Sequence, residues 1–156
     1  MCLTGLKGLP SWSAGKLRQL ELHEELDSTS DRLLAVKDLP AGRFDACLAE
    51  FQRAGRGRLG RKWHSARSGN LYLSLAFRPF IPPERLKPFT LWMGLALCAQ
   101  VEKSLGLKLG LKWPNDLQSP DERKVAGMLT EARLDADSVR ELVFGLGLNF
   151  TGQPKD

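Results

Sequence analysis

Apolar residues recur at every second position in several stretches of this chain, a spacing typical of β-strands. The clearest stretch is Asn70–Phe77. In an extended chain one side of this stretch would carry Leu71, Leu73, Leu75 and Phe77, and the other side Tyr72, Ser74 and Ala76. This alternation predicts a half-buried strand. Apolar or alternating runs predict further strands over residues 20–26, 45–51, 107–113, 124–134 and 139–149, with a hairpin turn at 135–138.

Two segments carry helix signals. The polar run Ser28-Thr-Ser-Asp31 precedes Leu33 and Leu34, and it predicts a short helix that ends near residue 37. A longer helix is predicted over 89–105, and Gly106 ends it. We expect much of it to be buried, because it carries the apolar residues Leu91, Trp92, Leu95, Leu97 and Val101. Together the elements predict an α+β fold with a mixed, mostly antiparallel sheet and helices on one face.

Length and composition indicate a single globular domain. The chain has 156 residues, of which 42% are hydrophobic and 26% charged. No apolar run is long enough to span a membrane, and residues 1–10 lack the pattern of a secretory signal. Three cysteines, Cys2, Cys47 and Cys98, form neither a disulfide framework nor a metal-ligand pattern. These features favour a cytoplasmic protein that does not contact membranes.

Positive charge is concentrated in one segment. Residues 51–83 hold seven of the chain's 23 lysines and arginines and none of its 18 acidic residues, while the formal net charge of the chain is +5. This concentration indicates a site for an anion. A solvated basic loop gives the same pattern, and charge alone does not separate the two interpretations.

The centre of the basic segment is a loop of alternating glycines and arginines, Gly55-Arg-Gly-Arg-Leu-Gly-Arg61. Glycines let a backbone approach a ligand closely, and guanidinium groups match phosphate or carboxylate. The loop is not a Walker loop, because no Gly-Lys-Ser/Thr follows it. The alternative is an RNA-binding arginine–glycine tract, whose affinity would fall steeply with salt. Trp63 follows, where it could stack on a nucleobase or pack in the core.

Two further motifs carry lysines. Lys112-Trp-Pro-Asn-Asp116 joins a cation and a carboxylate at a proline turn, where phosphate and magnesium could bind, although an ordinary turn is the alternative. Lys124 begins a predicted strand and is either a ligand contact or a solvated edge residue.

A glycine motif follows in the last predicted strand. Gly145-Leu-Gly-Leu-Asn149 lacks the third glycine of a dinucleotide-binding fingerprint. Its glycines indicate close packing or the approach of a ligand.

Taken in order, these motifs resemble those of biotin–protein ligases. The matching segments lie within residues 27–149: Asp27-Ser-Thr-Ser30, 50–63, 69–74, 112–117, 124–129 with Glu131, and 145–149. The resemblance implies a fold related to class II aminoacyl-tRNA synthetases and lipoate ligases. It also implies an enzyme that uses ATP and Mg²⁺ to form biotinyl-5′-AMP from biotin. Such an enzyme then transfers biotin to a lysine of a biotin carboxyl carrier protein.

The resemblance also implies roles for residues at the matching positions. Biotin contacts are expected from Ser28, Thr29, Gln52, Gly55, Arg56, Lys124, Gly127 and Met128. Nucleotide contacts are expected from Arg58, Trp63, Lys112, Asn115 and Asn149. The catalytic candidates are Arg56, Arg58, Lys124 and Asp116, with Asp116 as metal ligand or as general base. We further hypothesise that the 55–61 loop is disordered when empty and ordered over bound biotinyl-5′-AMP.

The resemblance leads to expectations about extent and assembly. Residues 1–156 are expected to be one catalytic domain, and the 26 residues before Asp27 leave no room for the helix-turn-helix domain of repressor-type members, so no DNA binding is expected. The catalytic domain of the family continues beyond the position of Asp156, so we expect this chain to be incomplete at its C-terminus. The alternatives are a remnant that binds biotin or its adenylate without turnover, and a lipoate-type ligase. Exposed edge strands would permit a homodimer.

Overall fold

The computed structural model describes residues 15–67 and 69–150. In this part of the chain one seven-stranded sheet has the order β1-β2-β3-β7-β6-β5-β4. The strands are β1 (Leu17–Leu26), β2 (Phe44–Gln52), β3 (Asn70–Phe77), β4 (Gly110–Lys112), β5 (Asp116–Gln118), β6 (Lys124–Leu134) and β7 (Val139–Asn149). Residues 1–10, in which the sequence showed no secretory-signal pattern, lie outside the described residues, and so does Cys2.

The sheet is mixed and mostly antiparallel, which confirms the predicted fold class. Only β1 and β2 run parallel to each other among the described strands, and helix α1 (Thr29–Leu34) makes the connection between them. The pairs β2–β3, β3–β7, β7–β6, β6–β5 and β5–β4 are antiparallel. The predicted hairpin turn joins β6 to β7, with the Asp135 N–H donating to the Ser138 carbonyl over 2.9 Å.

Helices cover both faces of the sheet, not one face as the sequence predicted. Successive residues of β7 show this: Val143 packs in a core with Leu33 of α1, and Phe144 packs with Phe89 of helix α2 (Phe89–Leu105). Because successive side chains of a strand point to opposite faces, α1 and α2 lie on opposite sides. A continuous apolar run such as that of β7 is stable only when both faces are covered.

Strand β3 is buried most deeply on its less hydrophobic side. Tyr72, Ser74 and Ala76 are fully buried, while the alternating leucines are half-buried. The side with Ser74 is covered by α1, whose hydroxyl groups bond to the Ser74 hydroxyl. A polar residue is stable there because it is hydrogen-bonded.

Helix α2 is less buried than its sequence predicted. Its fully buried residue is Gly94, whose position leaves room for the sheet below: an ideal Cβ there would lie 2.6 Å from Leu111 Cδ1. Trp92 is 59% exposed and Leu95 57% exposed, because α2 contacts the sheet through one stripe only. No helix of the described residues is both long and apolar enough to cross a membrane.

Candidate functional site

A cavity of about 140 Å³ lies on the α1 side of the sheet, under the basic loop. Eleven residues for which the sequence predicted a role line it: Ser28, Thr29, Gln52, Arg56, Arg58, Trp63, Asn115, Asp116, Lys124, Gly127 and Met128. They come from the start of α1, the end of β2, the loop after it, and strands β5 and β6. The sheet therefore brings together segments that are far apart in the sequence.

One end of the cavity is uncharged and carries a directed chain of hydrogen bonds. The Thr29 N–H can only donate, and it lies 2.8 Å from Gln52 Oε1, which fixes the orientation of the amide. The Thr29 hydroxyl donates to the same oxygen over 3.0 Å and therefore accepts from Ser74, 2.8 Å away. Ser74 in turn accepts from the Ser30 hydroxyl at 3.0 Å. Lone pairs of Ser30 and the Nε2 donors of Gln52 remain available to a ligand.

Ser28 begins this polar end by capping α1. Its side chain accepts from the Asp31 N–H over 3.3 Å, and its backbone is extended, as is usual at an N-cap. The cap turns the chain so that Thr29 and Ser30 point into the protein, where both are buried.

The floor of the cavity is a pair of glycines under an indole. Gly127 and Gly147 are register partners on β6 and β7. An ideal Cβ at either position would lie 2.4 Å from a ring atom of Trp63, so any side chain there would collide with the ring. The Trp63 Nε1 is buried without a hydrogen-bond partner among the described residues. Such a donor is unusual in a folded protein. It lies against Gly147, 2.7 Å from the position of an ideal Cβ there.

The basic loop is folded as a tight hairpin. The Gly57 N–H donates to the Arg61 carbonyl over 2.7 Å, and the Trp63 N–H donates to the Gly55 carbonyl over 2.9 Å. Leu59 at its tip has a φ of 54°, in the left-handed region, and is 90% exposed. The loop therefore has a hydrogen-bonded base and an exposed, strained tip.

The other end of the cavity is strongly cationic. Lys124 Nζ lies 2.9 Å from Asp116 Oδ2 and 5.1 Å from the centre of the Trp63 ring. The second carboxylate oxygen of Asp116 is buried and has no partner within residues 15–67 and 69–150. In the same part of the chain, the polar contact of the Arg58 side chain is a long one, 3.4 Å from its Nη1 to Asn115 Oδ1. Asp116 is the only carboxylate among the described residues that line the cavity, so the cations outnumber it.

Three residues with a predicted role do not line the cavity. Gly55 is buried at the base of the loop, where an ideal Cβ would lie 2.8 Å from the Trp63 carbonyl oxygen. Lys112 is exposed on β4, and Asn149 lies at the end of β7, where its Nδ2 contacts the Lys124 carbonyl at 3.4 Å. Met128 borders the cavity, but its side chain packs under α2, with Cε 2.9 Å from an ideal Cβ at Gly94.

Sequence reasoning missed eight residues that line the cavity: Ser30, Gly57, Arg61, Lys62, Leu129, Gly145, Leu146 and Gly147. The glycines of β7 did carry a signal, because glycine inside a strand indicates close packing or a ligand. Ser30 carried none, because its role depends on Ser74, which lies 44 residues away.

A second, wider cavity of about 400 Å³ adjoins the first. It lies between the loop tip, the start of α2 and the turn at Trp113. The two cavities share Arg58, Asn115, Met128 and Leu129. The space around Arg58 therefore extends beyond the cavity that contains Trp63.

A separate polar cluster lies on β1 and β2, away from the cavity. The parallel pairing places Cys47 opposite Glu21, and the ligand atoms of Glu21, His23 and Cys47 lie within 4.8 Å of one another. Arg32 binds both oxygens of Glu21, at 2.7 and 3.0 Å, and lowers the pKa of that carboxyl. Burial raises the pKa of the Cys47 thiol to about 12. The hydrogen bonds of Arg32 to Glu21 and the burial of Cys47 account for this cluster without a metal ion.

Comparison with known proteins relates this geometry to a family. A family model described as "Biotin/lipoate A/B protein ligase family" matches residues 24–149. The bifunctional ligase/repressor BirA of Escherichia coli K12 is 43% identical over 126 residues, 80% of this chain and 38% of BirA. BirA of Bacillus subtilis is 36% identical over 141 residues, 89% of this chain and 42% of that protein. This chain therefore spans about two fifths of the length of these relatives.

A solved structure supports the same relationship. The crystal structure of the biotin protein ligase from Leishmania major in complex with biotinyl-5-AMP is similar with a TM-score of 0.70 and 30% identity, over 89% of this chain and 60% of that one. The residues matched by the family model, 24–149, include the polar end, the glycine floor and the cationic end of the cavity. From its family match and its fold, the chain belongs to the biotin/lipoate A/B protein ligase family.

Proposed function

We propose that this chain activates biotin with ATP to biotinyl-5′-AMP and transfers the biotin to a lysine of a biotin carboxyl carrier protein. The observation that carries the proposal is the cavity with an uncharged hydrogen-bonding end and a cationic end, which suits a ligand with a neutral polar head and an anionic tail. A relative from Mycobacterium tuberculosis, 34% identical, is named biotin--[acetyl-CoA-carboxylase] ligase, and the Leishmania major biotin protein ligase, 30% identical, is solved with biotinyl-5-AMP.

The uncharged end suits the ureido group of biotin. A ureido group offers N–H donors and a carbonyl acceptor, and it carries no charge. The Gln52 Nε2 can donate to the carbonyl, and the lone pairs of Ser30 can accept from an N–H. The chain of bonds from Ser30 through Ser74 and Thr29 to Gln52 fixes these groups before the ligand arrives, which lowers the cost of ordering them on binding.

The cationic end suits the first chemical step. The carboxylate of biotin attacks the α-phosphate of ATP, an oxygen–phosphorus bond forms, and pyrophosphate leaves. Both reactants are anionic, so positive charge must offset their repulsion as they approach. Lys124 and Arg58 lie at this end and are the candidates that stabilise the transition state. Loss of one such contact costs on the order of 10²–10³-fold in rate.

Magnesium fits this end of the cavity through Asp116. One carboxylate oxygen pairs with Lys124, and the other is buried without a partner, so one protein oxygen is available as a ligand. Mg²⁺ commonly binds through one or two carboxylates together with phosphates and water. The ion would supply positive charge next to the phosphates of ATP.

The second step needs an acceptor lysine without its proton. A free lysine has a pKa of about 10.4, so a base must take up that proton before the amine attacks the acyl carbon of biotinyl-5′-AMP; an amide bond forms, the bond from the acyl carbon to the phosphate oxygen breaks, and AMP leaves. Asp116 is the candidate base among the described residues of the cavity, in competition with the metal role. In Asp116→Asn, normal adenylation with slow transfer would support the base role, whereas loss of adenylation would support the metal role.

Direct binding tests the choice of ligand. We expect calorimetry on the purified protein to show biotin binding, tighter binding of preformed biotinyl-5′-AMP, and much weaker binding of lipoate. Tighter binding of lipoate than of biotin would overturn the proposal in favour of a lipoate-type ligase. Biotin binding without turnover in the presence of ATP and Mg²⁺ would instead identify a binding remnant.

A further inference from the structure

Arg56, the first arginine of the basic loop, is held by two carboxylates outside the cavity lining. Its Nη1 donates to Glu131 Oε1 over 2.8 Å, and its Nη2 donates to Glu131 Oε2 over 2.6 Å. The same Nη2 lies 2.8 Å from Asp31 Oδ1. These residues belong to three separate parts of the fold: the loop, strand β6 and the first turn of α1. The guanidinium group therefore ties the loop to both walls of the cavity.

This contact changes the electrostatic role of Arg56. Two carboxylates surround one guanidinium, so the positive charge of Arg56 is already balanced before any anion enters. Arg58, two residues later, has one polar side-chain contact to the described part of the chain, 3.4 Å to Asn115, and it lines both cavities. Of these two arginines, Arg58 is the one whose charge remains available to a phosphate.

We propose that Glu131 and Asp31 are positioning residues that clasp the loop over the cavity by binding Arg56. The proposal rests on the proposed function, because it assigns Arg56 to loop position and not to direct contact with the reacting groups. Glu131 acts through Arg56: the clasp holds the base of the loop, and the base holds Trp63 above Gly127 and Gly147. The backbone bond from the Trp63 N–H to the Gly55 carbonyl links the two ends of the base.

The clasp divides the loop into two parts with different behaviour. The base, Gly55, Arg56, Lys62 and Trp63, is held by the carboxylates and by the two backbone bonds, Gly57 N–H to Arg61 and Trp63 N–H to Gly55, that form the bridge between Arg56 and Lys62. The tip, residues 58–61, is exposed. We therefore expect the base to be ordered in the absence of ligand and the tip alone to become ordered on binding, which narrows the hypothesis of a wholly disordered empty loop.

Glu131→Gln tests the clasp, because it keeps the size of the side chain and removes its charge. Glu141→Gln is the matched control, since Glu141 pairs with Arg133 over 3.0 Å on neighbouring strands of the same sheet and is not near the cavity lining. For Glu131→Gln we expect the KM for biotin to rise about tenfold with kcat within about twofold, as loss of a charge-assisted bidentate pair predicts. Amide exchange at Gly57 and Trp63, whose N–H groups make the backbone bonds of the loop base, should become faster. Glu141→Gln should change neither the KM for biotin nor the rate of amide exchange at the loop base.

Variants of Arg56 separate the clasp from a direct catalytic role. Arg56→Lys should raise the KM for biotin as Glu131→Gln does, because an ammonium group cannot form two parallel hydrogen bonds to the Glu131 carboxylate. The exchanged pair Arg56→Glu with Glu131→Arg should restore part of the slow amide exchange. A fall in kcat for Arg56→Gln with unchanged loop exchange would overturn the proposal, as would an unchanged KM and exchange rate in Glu131→Gln. If the parent protein does not bind biotin, the proposed function fails, but the exchange rates still test the clasp.

Discussion

The depth of the cavity depends on two glycines that face one tryptophan. Gly127 and Gly147 lie side by side on β6 and β7, and the Trp63 ring rests on both. The ring atoms are close enough to occupy the space of a Cβ at either position. At the scale of single residues, the shape of the site therefore depends on the absence of side chains at these two points.

Gly147→Ala should destabilise the protein and disturb the site. The added methyl group would lie 2.4 Å from the Trp63 Cε2 atom, so the indole must move. We expect the free energy of unfolding in urea to fall by about 1–3 kcal/mol, as for overpacked cores, and biotin affinity to fall with it. The matched control is Gly110→Ala on β4, where the nearest atom to the new Cβ is 3.7 Å away. Equal effects of the two substitutions would contradict the packing described.

Cys47 makes the free energy of unfolding depend on pH in the alkaline range. Burial raises the pKa of its thiol from 9.0 to about 12 in the folded state. Between these values the unfolded chain loses the thiol proton and the folded chain keeps it, so stability falls as pH rises, by up to about 1.4 kcal/mol per pH unit. Below this window the thiol has no effect. Cys47→Ala should show a shallower decline of the unfolding free energy across the window, and an equal decline would show that the thiol is not the cause.

Roles that depend on local residue type were predictable at this scale, and roles that depend on distant partners were not. The sequence identified Thr29, Gln52 and Lys124 because their motifs resemble those of a known family, and all three line the cavity. It did not reveal that Glu131 binds Arg56, because 75 residues separate them and neither residue type requires the other. Lys112 was predicted beside the nucleotide; it is exposed on β4 and does not line the cavity, although its register partner Asp116 does.

Among the elements, α2 contributes to stability through one stripe of residues. Leu97 packs against the core formed with Phe144 and Met128, whereas Leu95 is 57% exposed. Leu97→Ala should lower the unfolding free energy by about 1–3 kcal/mol, and Leu95→Ala should change it by less than about 0.5 kcal/mol. Chemical denaturation of both variants measures the contrast. A larger loss at Leu95 would indicate that its face of α2 is covered in solution.

Long elements were predicted well, and short or one-sided elements were not. The predicted bounds of β3, β6, β7 and α2 agree with the structure, because β3 alternates, the turn at 135–138 separates β6 from β7, and Gly106 ends α2. Strand β5 was missed because it has three residues and follows a turn. The exposed side of α2 was expected to be buried because its apolar residues lie on more than one side of the helix. Its pattern alone did not show which side faces the sheet.

At the scale of the whole molecule, the mixed sheet assembles a site from segments that span most of the chain. Residues 28–30, 52–63, 115–129 and 145–147 meet at one cavity because β6 pairs with both β5 and β7 while α1 packs on the same side. The order of motifs predicted the family, but strand order, which the sequence left open, determines which motifs touch. The cavity is therefore a property of the topology as much as of its residues.

Formation of biotinyl-5′-AMP tests the central claim most directly. The purified protein would be incubated with ATP, Mg²⁺ and labelled biotin, and the products separated by chromatography. We expect biotinyl-5′-AMP and an equal amount of pyrophosphate, formed at a rate on the order of 10²–10³-fold lower in Lys124→Gln. Absence of the adenylate, from a folded protein supplied with all three components, would contradict it.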